Sequence, residues 1–330
     1  MRPRASLAVA STAILSVIAG PALAVGVGPD AVAPNPFAGN QDWVAYQTFR
    51  DGREGVYLVH PDGSGDHEVD FGLEEGYALL PDWSPDGTRL AVTTRNRFPE
   101  TLIEHDLTTG ESRELFGCDW PCVGDDEPAY SPDGRSVAFI RYFGPFDDNG
   151  PADCSLWVGE VATGAVRRVS DNEGCDREYF PRWSPDGSHL TYHRERPAAN
   201  GWWTSAVFTV RADGTDERRL TDFALVGGTP DWSPDGRWIV FSTHPLGTSP
   251  DRNSELFRIR PDGTGLQQLT HFRSVRAVQP RYTPDGRWIV FTADRPRHRS
   301  LWALPAAGGT PVVLARHERI YTHGTWQPGS

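Results

Sequence analysis

Short apolar runs alternate with turn-forming residues along most of the chain. Residues 238–241 and 288–291, both Trp-Ile-Val-Phe, place apolar side chains at consecutive positions. A short strand that is apolar on both faces is typical of a sheet packed between two others. Pro-Asp-Gly triplets stand between many of these runs and favour tight chain reversals. The pattern predicts an all-β protein built from hairpins.

One motif recurs along the chain: an aromatic residue, Ser or Thr, Pro, Asp and Gly. Its aromatic positions, counting a degenerate sixth copy, are Trp83, Tyr130, Trp183, Trp232, Tyr282 and Trp326. They are separated by 47, 53, 49, 50 and 44 residues. Periods of this length, with several strands per unit, indicate propeller blades. Six copies therefore predict a six-bladed β-propeller of four-stranded antiparallel blades, with the motif aromatics as structural residues between blades.

The two ends of the chain are expected to share one blade. Residues 43–46 look like a second strand without a first strand before it, and residues 322–326 look like a first strand with nothing after it. Pairing the two would complete the ring and remove the exposed edges of an open sheet. The sequence thus predicts a propeller closed by its N- and C-terminal strands.

The repeated motif, followed by an apolar strand, resembles the WD-like (PD40-type) repeats of the TolB-like propeller family. The resemblance covers nearly all of the chain after residue 40. TolB proteins carry an α/β domain before the propeller, and here only a short segment stands in that place, so the resemblance implies a propeller used for binding without that domain. Similar repeats also form propellers that cap prolyl oligopeptidase-type peptidases and some polysaccharide lyases. Fold alone does not choose among these functions.

The first residues have the pattern of a signal peptide. Arg2 and Arg4 precede an apolar run at 5–19, and the segment closes on Ala-Leu-Ala at 22–24. The run is shorter than the ~20 apolar residues of a spanning helix, and no later stretch is comparable, so no membrane span is expected in the mature chain. The predicted organisation is a signal peptide at 1–24, a Pro-rich linker at 25–40 and a propeller at 41–330, in a protein exported to the periplasm or outside the cell.

The net charge and the motifs narrow the range of possible functions. The net charge of −12 disfavours nucleic-acid binding, and no Gly-x-Ser-x-Gly pentapeptide supplies a hydrolase nucleophile. We therefore expect a non-catalytic, monomeric binding or scaffold propeller whose partner is an envelope or extracellular protein, or an anionic glycan. The alternative is a secreted polysaccharide-acting enzyme of the propeller-lyase type, with a metal or acid/base site at the channel mouth.

Four cysteines lie in connections of the second and third blades: Cys118, Cys122, Cys154 and Cys175. An even number of cysteines in an exported chain favours disulfides, and pairing Cys118 with Cys122 and Cys154 with Cys175 needs the least chain travel. A zinc site is the alternative, but the spacing matches no common ligand pattern. The histidines near the long connections also lack a recognised ligand spacing. No cofactor is expected, and a bound divalent cation stays open.

Candidate binding residues lie on the ring face that collects the long connections between blades and between second and third strands, here called the long-loop face. Glu127, Gln279 and His323, each three residues before a motif aromatic, are candidates to converge on a ligand at the axis, although a hydrated polar funnel fits as well. Trp202 and Trp203 are expected in a loop before a third strand, where they either contact a sugar or partner or pack on a neighbouring loop. A basic group, Arg295, Arg297 and Arg299, is a candidate site for an anionic ligand, across the ring from acids that include Asp125 and Asp126.

Overall fold

The computed structural model describes residues 42–50, 52–96, 99–147, 150–170, 172, 176–198, 203–243, 254–272, 275–295, 298–317 and 325–328. These residues belong to one compact unit. They form six four-stranded antiparallel sheets, which confirms the predicted all-β, six-bladed propeller. Within the described ranges, no helix is long and apolar enough to cross a membrane.

The blades are numbered from the one in which the ring closes. Blade 1 contains β1 (Val44–Arg50), β2 (Arg53–Val59), β3 (His67–Glu68) and the last strand, β24 (Thr325–Trp326). Blade 2 contains β4 (Tyr77–Trp83), β5 (Arg89–Arg95), β6 (Leu102–Asp106) and β7 (Ser112–Glu114). Blade 3 contains β8 (Cys122–Tyr130), β9 (Ser136–Asp147), β10 (Gly150–Glu160) and β11 (Val166–Arg168).

The remaining blades have the same order, from first strand to fourth. Blade 4 contains β12 (Arg177–Trp183), β13 (His189–Pro197), β14 (Trp203–Arg211) and β15 (Arg218–Arg219), and a 3-10 helix at Phe223–Leu225 follows it. Blade 5 contains β16 (Gly227–Trp232), β17 (Ile239–Thr243), β18 (Glu255–Ile259) and β19 (Gln267–Gln268). Blade 6 contains β20 (Arg276–Tyr282), β21 (Trp288–Arg295), β22 (His298–Pro305) and β23 (Val312–His317).

The repeated motif forms the hairpin between the first and second strands. In blade 2 the Ser84 hydroxyl donates to the Asp86 carboxylate at 2.6 Å, and the Gly87 N–H donates to the Ser84 carbonyl at 2.8 Å. Gly87 has a φ of 69°, a conformation that glycine adopts at little cost. Motif residues in blades 3 to 6 repeat the hydroxyl-to-Asp bond at 2.6 to 2.7 Å. The motif therefore fixes the turn through its own side chains.

Ring closure occurs in blade 1 as the sequence predicts. Val44 pairs with Trp326 and Ala45 with Thr325. Gln327 extends this contact, because its N–H donates to the Trp43 carbonyl at 2.8 Å and its side-chain oxygen accepts from the Trp43 N–H at 3.1 Å. Its side-chain amide also donates to the Gly87 carbonyl of blade 2 at 2.7 Å. Gln327 thus links the last strand of blade 1 to Trp43, which precedes β1, and to the motif turn of blade 2.

Motif tryptophans join neighbouring blades through their indole N–H groups. Trp83 donates to the Thr325 carbonyl of the preceding blade at 3.1 Å, and Trp183 donates to the Ala129 carbonyl at 3.0 Å. Both acceptors are the residue directly before the motif aromatic of the preceding blade. The buried indole nitrogen of Trp232 has no acceptor within the described part of the chain.

Motif tyrosines use a different contact in the same place. The Tyr130 backbone N–H donates to the Asp82 carboxylate at 2.8 Å, and the Tyr282 N–H donates to the Asp231 carboxylate at 2.9 Å. Asp82 and Asp231 again directly precede the motif aromatic of the preceding blade. An Asp at this position thus accompanies a Tyr in the next blade, where the side-chain carboxylate replaces the backbone carbonyl as the acceptor.

Comparing Trp83→Phe with Trp232→Phe measures the indole contact between blades. Both changes replace a buried indole by the smaller phenyl ring, but only Trp83 donates a hydrogen bond to a described residue. We expect Trp83→Phe to lower the free energy of unfolding by about 1 kcal/mol more than Trp232→Phe, the net value of one such bond. Urea unfolding of both variants beside the parent gives the difference, and equal losses would show that the bond does not stabilise the ring.

Candidate functional site

A bulge interrupts the first strand of blades 2 to 6 at the same place. Pairing with the second strand shifts register there, for example between Leu79 and Asp82 in blade 2. The residue three positions before each motif aromatic has a positive φ of 49° to 58° and precedes a proline; these residues are Leu80, Glu127, Phe180, Thr229 and Gln279. Such a conformation costs roughly 1–3 kcal/mol for a residue other than glycine. Its repetition gives each of blades 2 to 6 one equivalent position where the first strand leaves register with the second, here called the mouth positions.

Glu127 is buried at its mouth position, with 7% of its surface exposed. Its carboxylate accepts a hydrogen bond from the Phe180 N–H of blade 4. Burial raises the pKa of Glu127 well above its ordinary value, and Asp126 raises it further, against the opposing effects of the Phe180 N–H and Arg182. Glu127 is therefore a buried carboxyl group whose proton is held more tightly than that of an exposed glutamate.

Asp125 and Asp126 do not form the surface charge that the sequence suggested. Asp125 is fully buried and accepts two hydrogen bonds from Arg141 at 2.7 Å. Burial raises the pKa of Asp125 to about 6 despite this pair. Asp126 pairs with Arg95 of blade 2 at 2.5 Å. Arginine side chains pair with both acids inside the protein. The acidic surface expected at this blade therefore carries less charge than the number of its Asp and Glu residues implies.

Three aromatic side chains of blade 4, Tyr179, Phe180 and His193, lie between Glu127 of blade 3 and Thr229 of blade 5. The Phe180 ring stacks on His193 with centroids 5.4 Å apart, and Tyr179 lies 5.5 Å from the same imidazole. His193 Nδ1 accepts from the Thr229 N–H at 3.3 Å, while Nε2 lies 3.5 Å from Glu195. Because Nδ1 accepts, the proton of a neutral His193 lies on Nε2. Burial raises the pKa of Tyr179 to about 12.

Four charged residues form a second ring inside the channel: Asp82, Arg182, Asp231 and Arg281. Asp82 and Asp231 interact electrostatically although they belong to blades 2 and 5, which are opposite in a six-membered ring. Arg182 of blade 4 acts on both. Interactions between opposite blades cross the axis, so these side chains line the channel. Burial raises the pKa of Asp231 to about 7, even though Arg281 lies 3.4 Å away.

The four charged residues of this second ring, called the inner ring from here on, were not predicted from the sequence. Its members occupy the position directly before the motif aromatic, which reads Asp, Ala, Arg, Asp, Arg and Thr in blade order from blade 2. Charged residues next to a buried aromatic, recurring at one repeat position, were the available signal. Of the three predicted axial residues, Glu127 is buried and Gln279 is half-buried. His323 lies outside the described residues, so convergence of the three stays a prediction.

Trp203 is the first residue of β14 and pairs with Pro197, so its predicted place in a loop was wrong. The third strand begins earlier than alignment to the other blades suggested, because β13 and β14 are each nine residues long. The Trp203 ring is 46% exposed, and the Arg177 guanidinium lies 4.6 Å from its centroid. Trp202 lies outside the described residues.

The predicted basic group is only partly available to a ligand. Arg295 stacks over the Trp302 ring at 4.9 Å and keeps an exposed side chain. Arg299 lies 3.2 Å from Asp294, which also lies 3.6 Å from Arg276. Arg297 is outside the described residues. Binding of an anion by this group stays a prediction, with Asp294 as an internal competitor.

Cys118 and Cys122 form a disulfide, as expected from their spacing. Cys154 is a buried free thiol whose pKa burial raises to about 12, and its sulfur lies 3.7 Å from the Asp176 carbonyl. Because Cys154 is free, the predicted Cys154–Cys175 disulfide is not formed in this structure; Cys175 itself lies outside the described residues.

One group of three metal-ligating side chains occurs in the described ranges, namely Cys118, Cys122 and Asp125. The disulfide and the Asp125–Arg141 pair already occupy its ligand atoms. In this oxidised form the group does not offer a metal the thiolates it would need.

No protein-family model matches the chain. The chain is 36% identical over 63 residues to the Tol-Pal system protein TolB of Alcanivorax borkumensis, covering 19% of this chain and 13% of that protein. The crystal structure of TolB from Acinetobacter baumannii has a TM-score of 0.69 at 19% identity, with 90% of this chain and 68% of that chain covered. Oligogalacturonate lyase from Vibrio parahaemolyticus has a TM-score of 0.59 at 15% identity, with 83% and 74% covered.

The chain has the fold of a TolB-like six-bladed β-propeller. At these identities, likeness to the solved structures shows the fold alone, and a propeller with this fold is compatible with binding and with catalysis. The chain spans less than half the length of the curated relatives it matches. Function therefore has to be argued from the site.

Asp231→Asn tests the buried state of the inner ring. Folding raises the pKa of Asp231 from 3.8 to about 7, so the folded protein holds this proton more tightly than the unfolded chain. Stability from this group is therefore lost as pH rises between those values. We expect the free energy of unfolding to fall less between about pH 5 and about pH 8 in Asp231→Asn than in the parent.

Denaturant unfolding at both pH values measures that difference. Asp186→Asn is the control, because hydrogen bonds from Ser184 and Ser188 hold the pKa of Asp186 at about 2, below the tested range. This control should leave the change with pH as it is in the parent. An equally steep fall in Asp231→Asn would contradict the raised pKa.

Non-reducing peptide mapping tests the cysteine state. We expect one peptide pair linked through Cys118 and Cys122, since the two sulfurs are bonded across a short segment. Alkylation before and after reduction assigns the linked residues. Recovery of both as free thiols from carefully oxidised protein would contradict the disulfide.

Proposed function

We propose that this protein is an exported, non-catalytic binding propeller whose long-loop face at blades 3 and 4 docks on an envelope or extracellular protein. The observation that carries the proposal is the exposure of two tryptophans on that face. Trp120 is 72% exposed and Trp203 is 46% exposed. Large exposed aromatics are enriched among the residues that dominate binding energy at protein interfaces.

Strand directions support a common face for the two indoles. Trp120 lies just before β8, whose first residue is Cys122, at the end of that strand away from the motif turn. Trp203 begins β14, whose other end leads to the short turn at Asp213 and Gly214. Both tryptophans thus lie on the side where first and third strands begin. Blades 3 and 4 are neighbours in the ring, so the two rings belong to one sector of the long-loop face.

The Trp120 segment is held in place before binding. The Cys118–Cys122 disulfide closes a loop around it. The Gly144 N–H, on β9, donates to the Pro121 carbonyl at 2.9 Å and ties the loop to the long β9–β10 hairpin. A side chain presented on a constrained loop loses less conformational entropy when it binds. These contacts suit Trp120 to act as an anchor.

Export rests on the N-terminal pattern of Arg2, Arg4 and the apolar run before Ala24. A TolB relative named for the Tol-Pal system is consistent with an envelope role for this chain. Intact-mass measurement of protein recovered outside the cytoplasm should give a mature chain starting near Val25.

A second candidate function is a polysaccharide-acting enzyme, favoured by Glu127. A buried carboxyl with a raised pKa, hydrogen-bonded to the N–H of Phe180, whose ring stacks on His193, has the chemistry of a general acid. Likeness to oligogalacturonate lyase is compatible with this function at the level of fold. Turnover on a glycan panel that Glu127→Gln abolishes, or stoichiometric bound metal in the purified protein, would favour the enzyme over the binder.

The double variant Trp120→Ala, Trp203→Ala tests the binding proposal. We expect it to lose most of a partner that the parent protein retains from a native envelope fraction, because both anchors are removed. Leu266→Ala is the matched control, since Leu266 is a 39% exposed apolar residue in the turn before β19, on the opposite face.

Quantitative mass spectrometry of the retained proteins, with melting temperatures as a folding check, gives the readout. A partner lost by the double variant and kept by Leu266→Ala supports the proposed face. Equal retention by all three proteins would place the binding surface elsewhere.

A further inference from the structure

Arg182 is a buried guanidinium with unused hydrogen-bond donors. The residue is 8% exposed. Its Nη1 donates to the Pro181 carbonyl at 2.6 Å, whereas its Nε has no acceptor in the part of the chain that the structure describes. Leaving a buried donor of a charged group unpaired costs more than leaving a neutral donor unpaired. The unpaired edge of Arg182 therefore requires an acceptor.

A second donor is also unused at the same boundary, the one between blades 4 and 5, here called the seam. Trp83 and Trp183 donate their indole N–H to the carbonyl of the residue directly before the motif aromatic in the preceding blade. For Trp232 that residue is Arg182, yet the buried Trp232 Nε1 has no partner among the described residues. The boundary between blades 4 and 5 departs from the repeat at this point. Both unpaired groups are donors, so the seam lacks an acceptor and not a cation.

The carboxyl groups around Arg182 do not supply that acceptor. Asp82, Asp231 and Glu127 all interact with Arg182 electrostatically. None of them is among the described ion pairs of 4 Å or less, and Asp231 is paired instead with Arg281. Burial raises the pKa of all three carboxyl groups. Arg182 therefore keeps donors that an anion could accept from.

Solvent reaches the inner ring. The side chains of Asp231 and Arg281 are 16% and 13% exposed although they lie in the centre of the ring. An anion that reaches these largely buried side chains loses most of its hydration. A charge-assisted hydrogen bond gains strength in such surroundings.

We propose that the axial channel binds a small carboxylate anion on the unpaired edge of Arg182, in the seam that also contains the Trp232 indole N–H. A carboxylate fits because its two oxygens match two adjacent N–H groups of a guanidinium, whereas a spherical anion matches only its charge. The site is separate from the tryptophans of the long-loop face and does not depend on the protein partner proposed there.

Isothermal titration of the purified protein with sodium acetate tests the site, with sodium chloride at equal ionic strength as the comparison anion. The parent should bind one acetate saturably and prefer acetate to chloride. Arg182→Met keeps the length of the side chain and removes its donors, and it should weaken acetate binding at least about tenfold. Arg135→Met is the control, because Arg135 is 86% exposed in a motif turn, and it should bind acetate as the parent does.

Arg182→Lys keeps the charge but lacks the two-pronged edge, so it should lose the preference for acetate over chloride. This variant decides the question if Arg182→Met fails to melt cooperatively. The absence of saturable acetate binding by the folded parent, unchanged binding by the Arg182 variants, or equal binding of chloride by the parent would each overturn the proposal. Loss of protein binding in the Trp120, Trp203 double variant, with acetate binding intact, would show that the two sites are independent.

Discussion

Among the described residues, four boundaries between blades run through the residue directly before a motif aromatic. Thr325 and Ala129 offer their carbonyls to the indole of the next blade, and Asp82 offers its carboxylate to a backbone N–H. The same repeat position carries the charged inner ring in blades 2, 4, 5 and 6, namely Asp82, Arg182, Asp231 and Arg281. One repeat position therefore sets both how blades join and what the channel contains. The ring cannot change its channel chemistry there without changing a boundary between blades.

This constraint explains the state of the buried acids. Asp231 remains at a boundary between blades because the Tyr282 N–H needs an acceptor, and burial then raises its pKa to about 7. Removing a charge from water is costly unless the group is paired or neutralised. Arg182 and Arg281 offset part of that cost, but only Arg281 contacts Asp231. The remaining donor capacity of Arg182 is what makes the channel a binding site in our account.

The architecture could be predicted from the sequence because its determinants are local. The motif turn is fixed by residues two or three apart, such as Ser84 with Asp86. The number of motif copies gives the number of blades. The site could not be predicted in the same way. Glu127 contacts Phe180 from 53 positions away, and Asp125 pairs with Arg141 on a neighbouring strand. Which acids stay on the surface depends on such distant partners, which a repeat pattern does not contain.

Photo-crosslinking tests most directly the claim that this propeller binds through blades 3 and 4 of its long-loop face. A photoreactive phenylalanine analogue at position 120 would stand where the exposed Trp120 ring lies, and the same group at position 266 would stand on the opposite face. In a native envelope fraction, we predict a crosslinked protein partner from position 120 and none from position 266. Crosslinks of equal yield from both positions, or a partner captured only from position 266, would contradict the account.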